Sequence, residues 1–203
     1  MVDKLDQKKE DILDAAMHCL ARYGVIKTTL DDIARLVGMN KATLYYYYKN
    51  KEAIFFDAIE REGISFINQV QQNIKKKLSA REKLYTFLRT YHSYFRSRVE
   101  ILELNAQAMV ENHTFMRKMH NCMREKNIDL MKEIIQEGID NGEFRRLDAG
   151  RVADVLRYIF DLRKFEFFLD SMDNNTNKYE ISQLEKDSLY TLDIFLNGLI
   201  KKE

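Results

Sequence analysis

A chain of 203 residues with no proline and only seven glycines has few places to turn sharply. Without proline nothing locks the backbone or removes one of its donors, while Leu, Ile, Met, Glu and Lys are plentiful and suit helices. The pattern predicts an all-α protein. The same scarcity of glycine leaves no phosphate cradle, since neither a Walker pattern nor G-x-G-x-x-G occurs, and nucleotide-dependent enzymes are disfavoured. The length suits one large domain or two small ones, with room for a core and an internal cavity. At 45% apolar and 32% charged residues the composition is globular and not disordered. No run approaches the roughly 18 uncharged apolar residues of a membrane span, and the opening MVDKLDQKKEDIL lacks the apolar centre of a secretion signal, so a cytoplasmic protein with no membrane partner is expected. Cys19 and Cys122 are too few for a disulfide framework or a closed zinc site and are expected as free thiols.

Near the amino end, Ile12, Ala16, Cys19, Leu20 and Tyr23 recur at helical spacing, which predicts a helix from about Asp6 to Tyr23 closed by Gly24. Thr29 can cap a second, short helix whose apolar face is Leu30, Ile33, Ala34 and Val37, ended by Gly38. Met39 can plug the turn, Asn40 can cap a third helix, and Leu44 and Tyr48 turn inward at i, i+4. Residues 29 to 48 therefore have the form of a helix-turn-helix, in which a second helix held across the first can enter a major groove about 12 Å wide. Its outward face offers Lys41, Thr43, Tyr46 and Tyr47, with Ala42 small enough for close approach or for a thymine methyl. Lys51 opens the next helix, where a cation and free backbone N–H groups can meet phosphate.

Charge agrees with a focused anion contact. The whole chain carries 33 basic and 32 acidic side chains, yet residues 40 to 51 contain Lys41, Lys49 and Lys51 and no acidic residue. Adjacent residues of a helix lie about 100° apart, so the run Tyr45 to Tyr48 can also be read as mere core and surface of one helix.

The run Thr29-Leu30-Asp31-Asp32-Ile33-Ala34, then Val37-Gly38-Met39-Asn40-Lys41-Ala42-Thr43-Leu44-Tyr45-Tyr46-Tyr47-Tyr48-Lys49-Asn50-Lys51-Glu52, resembles the DNA-binding domain of the tetracycline-repressor (TetR) family over residues 8 to 58. The resemblance implies a homodimer of all-helical subunits, usually a repressor, with a variable effector-binding domain. It implies phosphate contacts by Thr29, Tyr47 and Lys51, and places Lys41, Ala42, Tyr45 and Tyr46 against base edges. Ala42 stands where the family usually has Gly, and Tyr48 where it has Phe. The implied organisation is a helix-turn-helix domain over 1–51 and a helical effector-binding and dimerisation domain over 52–203.

Beyond the head, helices are expected over about 51–78, 79–98 with a Ser79/Glu82 capping box, 101–112, 115–141 stopped by Asn141-Gly142, 148–172 begun by Asp148, and 180–201, with 173–177 as a loop. Aromatic and Met-rich segments supply candidates for a plastic effector pocket, namely Tyr85, Leu88, Tyr91, Phe95, Met109, Met119, Met123 and Phe160. For any single one of these residues an ordinary core is the favoured reading, and it is the resemblance that implies a pocket among these helices as a whole. His113 and His120 lie at i, i+7 and Cys122 points elsewhere, so no ligand pair forms and neither metal nor cofactor is expected.

The last two long helices are apolar on more than one stripe. One stripe can face the subunit core, and the second needs a partner, which makes Val155, Ile159, Leu162, Leu169, Leu192, Phe195 and Leu199 candidates for a two-fold interface. The sum predicts a ligand-responsive, homodimeric regulator that binds a double-stranded DNA operator and a small-molecule effector. The other reading is a helical dimeric adaptor that binds protein instead. No catalytic constellation is evident, and no enzyme is expected.

Overall fold

In a computed structural model of the chain, the described residues are 4–77, 79–97, 113–172 and 181–199. They form eight helices: α1 (Lys4–Lys27), α2 (Leu30–Val37), α3 (Lys41–Tyr47), α4 (Lys51–Ile74), α5 (Ala80–Arg96), α6 (His113–Asp140), α7 (Ala149–Met172) and α8 (Ile181–Leu199). The expected helix over 101–112 and the loop over 173–177 lie outside the described residues. No helix among the described residues is long and apolar enough to cross a membrane.

The chain divides into two compact units, Met1–Ile64 with Arg98–Met123, and Ser65–Ser97 with Arg124–Glu203. The first has its own core, in which Ile12, Ala16 and Leu20 of α1 meet Ile33, Leu44, Ile54, Phe55 and Ala58. Ile54, Phe55 and Ala58 are fully buried there. The boundary expected at residue 51 thus falls short of residues that the head uses to exclude water, and the head extends through the first half of α4. Gly24 interrupts the helix where the spacing predicts its end, taking φ 73° and ψ 173°, a region open to glycine at little steric cost, and a further helical segment reaches Lys27 beyond the kink.

The second unit is organised around Phe66, whose ring packs edge-on against Phe87 and Tyr91 and tilts against Tyr94 at a centroid distance of 5.1 Å. The amino end of α5 is capped twice. Ser79 accepts from the Glu82 N–H as its spacing predicted, and the Glu143 carboxylate accepts from the N–H groups of Ala80 at 2.7 Å and Arg81 at 3.0 Å. A Cβ at Gly138 would lie 2.4 Å from the Phe144 ring and 2.8 Å from Ala80, so glycine allows α6 to approach both. The Lys83 ammonium, only 16% exposed, donates to Glu137 of α6.

Of the expected pocket residues, Leu88 and Phe160 are buried in this core, Tyr91 is partly buried against it, and Phe95 is buried as well. Tyr85 turns its hydroxyl toward α8 and donates to Asp193 at 2.6 Å, beside the Arg81–Asp193 ion pair. Met109 lies outside the described residues, as do the side chains of Met119 and Met123.

Among the expected interface residues Leu192 requires correction, because it is 1% exposed and belongs to the core of its own subunit. Phe195 is partly buried against the same core, and Ile159 is half-buried. Val155 and Leu162 are exposed, together with three residues that the spacing did not single out, Tyr158, Tyr190 and Ile194. The side chains of Leu169 and Leu199 lie outside the described residues.

Candidate nucleic-acid interface

Two short helices, each set by its caps, build the reading head. Thr29 and Asp32 cap α2 reciprocally: the Asp32 N–H donates to Thr29 Oγ1, and the Thr29 N–H donates to Asp32 Oδ2 at 3.0 Å. The Thr29 hydroxyl also donates to that carboxylate at 2.6 Å, and these bonds hold Asp32 below the usual carboxylate range. Gly38 ends α2 in the left-handed conformation with φ 69°. Asn40 then caps α3, accepting from the Thr43 N–H at 2.7 Å and from its hydroxyl at 2.9 Å.

Leu44 is fully buried under α3, which leaves Lys41, Ala42, Thr43, Tyr45 and Tyr46 exposed on the opposite side. Tyr46 is 79% exposed, a high value for an aromatic ring with no task on the surface. Its edge meets the ring of Tyr47 at 5.4 Å, and Tyr47 itself leans on the head's core. The Lys41 ammonium pairs with Asp31 of α2 at 2.9 Å. That hydrogen bond, and then the Asp31 charge, push Lys41 above the ordinary lysine range.

Tyr48 ends α3 with its side chain buried and the Asp57 carboxylate as its hydrogen-bond partner, so α3 is pinned to α4. Burial, followed by the Asp57 charge, pushes its phenol up to about 12. An unfolded tyrosine titrates near 10, so the folded value is raised. This contribution to stability is then complete below about pH 10 and is lost as pH climbs toward 12. We expect wild type to lose about 2 kcal/mol more stability than Tyr48→Phe across that interval in urea titrations. Parallel losses in the two proteins would remove the assignment.

Lys51 has a different occupation from the one its position suggested. Its ammonium donates to the carbonyls of Thr28 at 2.9 Å, Val25 at 3.0 Å and Ile26 at 3.2 Å. The end of a helix leaves carbonyls without partners and carries partial negative charge, and here a lysine from α4 supplies both donors and a cation. Thr28, fully buried, closes the same end by donating to Gly24 O at 2.7 Å. Arg61 completes the fastening of α4 to α1 through Glu10 and Asp14, each at 2.7 Å.

Sequence spacing predicts Lys41, Ala42, Thr43 and Tyr46 on the outward face of α3, and these four side chains are exposed. It misses Asp31, Asp57 and the carbonyl cluster under Lys51, because those partners come from other helices. Among the described residues no group of three His, Cys, Asp or Glu side chains could hold a metal ion.

A family model described as bacterial regulatory proteins, tetR family, matches residues 12–58, and a second, the YsiA-like protein C-terminal region, matches residues 60–194. The fatty acid metabolism regulator protein of Bacillus subtilis is 26% identical over 196 residues, covering 96% of this chain and 97% of its own. A transcriptional regulator from Cytophaga hutchinsonii superposes with a TM-score of 0.78 at 26% identity, over 97% of this chain and all of the other. The regulator FadR from Bacillus subtilis, solved in complex with stearoyl-CoA, superposes with a TM-score of 0.71 at 24% identity, over 94% and 98% of the two chains.

Proposed function

The chain belongs to the tetR family of bacterial regulatory proteins and is a DNA-binding transcriptional regulator, and we propose that it is a homodimeric repressor released from its operator by a long-chain acyl-CoA. One observation carries the DNA reading: α3 is clamped from below by Leu44 and Tyr48 and presents Lys41, Ala42, Thr43, Tyr45 and Tyr46 outward. A helix fixed in this way enters the major groove with Lys41, Thr43, Tyr45 and Tyr46 at base edges and Ala42 against a thymine methyl. Thr29 and Tyr47 lie against phosphates, and Lys51 acts from beneath, holding the end of α1. Residues 1–64 are the DNA-binding head, and the rest is the effector-binding and dimerisation domain.

The paired unit uses Val155, Tyr158 and Leu162 of α7 with Tyr190 and Ile194 of α8. Two heads then read half-sites of a pseudo-palindrome in successive grooves. The B. subtilis relative is a fatty acid metabolism regulator and FadR was solved with stearoyl-CoA, which favours an amphipathic acyl thioester as the effector. An effector that prefers the conformation poorly matched to DNA shifts the population away from the operator. Its work on chromosomal DNA places the protein in the cytoplasm.

The test begins with operators selected from random duplexes by the full-length protein. Tyr46→Ala is expected to weaken binding about ten- to a hundredfold and to relax the selected sequence. Stearoyl-CoA is expected to release the complex, and coenzyme A alone is not. Unchanged affinity and preference in Tyr46→Ala would end the groove assignment, and a complex indifferent to stearoyl-CoA would end the effector assignment.

A further inference from the structure

The head presents far less positive charge than its sequence suggests. Of the three lysines between residues 40 and 51, Lys51 is committed to three carbonyls and Lys41 to the Asp31 carboxylate, while Lys49 is exposed. Asp31 therefore stands out. It lies in the first turn of α2, its partner is the first residue of α3, and their 2.9 Å pair spans the two arms of the helix-turn-helix. Asp31 is also not needed as the cap of α2, since Thr29 and Asp32 perform that task between them.

An acidic group beside a lysine of a duplex-facing strip opposes phosphate attraction, so stability of the free head does not explain it well. The pair is open to water on both sides, with side chains 46% and 56% exposed, and such pairs are weak enough to exchange partners. Resting on the reading of α3 as the groove helix, we infer that Asp31 is a specificity-determining residue, which withholds the Lys41 ammonium from sequence-independent phosphate contacts and yields it at the operator.

A loose complex offers Lys41 only mobile phosphate contacts, which compete poorly with a carboxylate already at hydrogen-bond distance. At the operator α3 is seated, and guanine O6 and N7 are fixed acceptors for a lysine, so the exchange becomes favourable. Asp31 thus lowers non-specific affinity more than specific affinity.

The test compares wild type, Asp31→Asn, Asp31→Glu, Lys41→Met and the Asp31→Asn/Lys41→Met double variant. Each is titrated as full-length protein against a selected operator and a scrambled duplex of equal length, at several salt concentrations. Circular dichroism melts identify the temperature at which all are folded. Asp31→Asn is expected to bind the scrambled duplex about two- to fivefold more tightly and to steepen its salt dependence by about one unit, with a smaller change at the operator. Asp31→Glu should resemble wild type, and in the Lys41→Met background the Asp31→Asn effect should vanish. A gain that survives in that background would show general charge repulsion and overturn the inference. Equal gains on both duplexes would overturn it too. A wild type with no sequence preference would overturn the reading of α3 as well, whereas an intact preference with an unchanged ratio in Asp31→Asn overturns this inference alone.

Discussion

Glutamate at Ile194 together with glutamate at Leu162 will turn the repressor into a monomer and lower its operator affinity by about two orders of magnitude. Ile194 is 57% exposed and Leu162 47%, beside exposed Val155, Tyr158 and Tyr190. Large apolar side chains in such number are costly to leave in water, and a two-fold interface removes each of them twice. The same doubling makes the charge change severe, because two substitutions place four carboxylates in one apolar patch. Loss of pairing removes the tethering of one half-site to the other, which is worth about a hundredfold or more in effective concentration. Light scattering should report one chain per particle, and gel shifts should show weak binding of undiminished sequence preference. A variant that remains dimeric and binds normally would place the interface elsewhere. Both positions are already exposed, so the fold itself should melt within a few degrees of wild type.

Ile194 and Leu192 show what periodicity could and could not resolve. They lie two positions apart on α8, about 200° around the helix, and both are branched apolar residues. A helix with two apolar stripes announces that it needs two partners, but the stripe that faces inward depends on α5 and α7, which lie far away in sequence. The expectation accordingly included Leu192, now a core residue, and passed over Ile194. The pocket has the same ambiguity. Leu88 and Phe160 are buried in one core with Phe66, Phe87 and Ile134, and an aromatic-rich core and an aromatic-rich binding site look alike along a single chain. The head was far more legible because its signals are local. Thr29 and Asp32 are three residues apart, Gly38 and Asn40 bracket the turn, and Leu44 and Tyr48 share a face. Pairs that cross between elements left no trace in the spacing, among them Lys41 with Asp31, Tyr48 with Asp57, and Glu143 at the amino end of α5.

Lys51→Met will weaken the head without touching the salt dependence of DNA binding, the reverse of what its place in a basic strip suggests. Three carbonyls converge on its ammonium between 2.9 and 3.2 Å, and all three of its N–H bonds are used. A hydrogen bond to a charged group is worth about 1.5–3 kcal/mol, and three that share one cation at a partly exposed site do not add, so a loss of about 2–3 kcal/mol is expected in urea unfolding. Methionine keeps the aliphatic stem and its packing, which confines the change to the ammonium. The carbonyls of Val25, Ile26 and Thr28 would then turn to water, and Thr28 adjoins Thr29, the cap from which α2 begins. Operator affinity should fall severalfold through the smaller population of ordered heads, equally at low and high salt. Lys41→Met provides the contrast. That ammonium exchanges its carboxylate for guanine acceptors, so its removal should weaken operator binding more than binding to a scrambled duplex and relax the selected sequence. A slope reduced by about one unit in Lys51→Met would return a phosphate contact to Lys51.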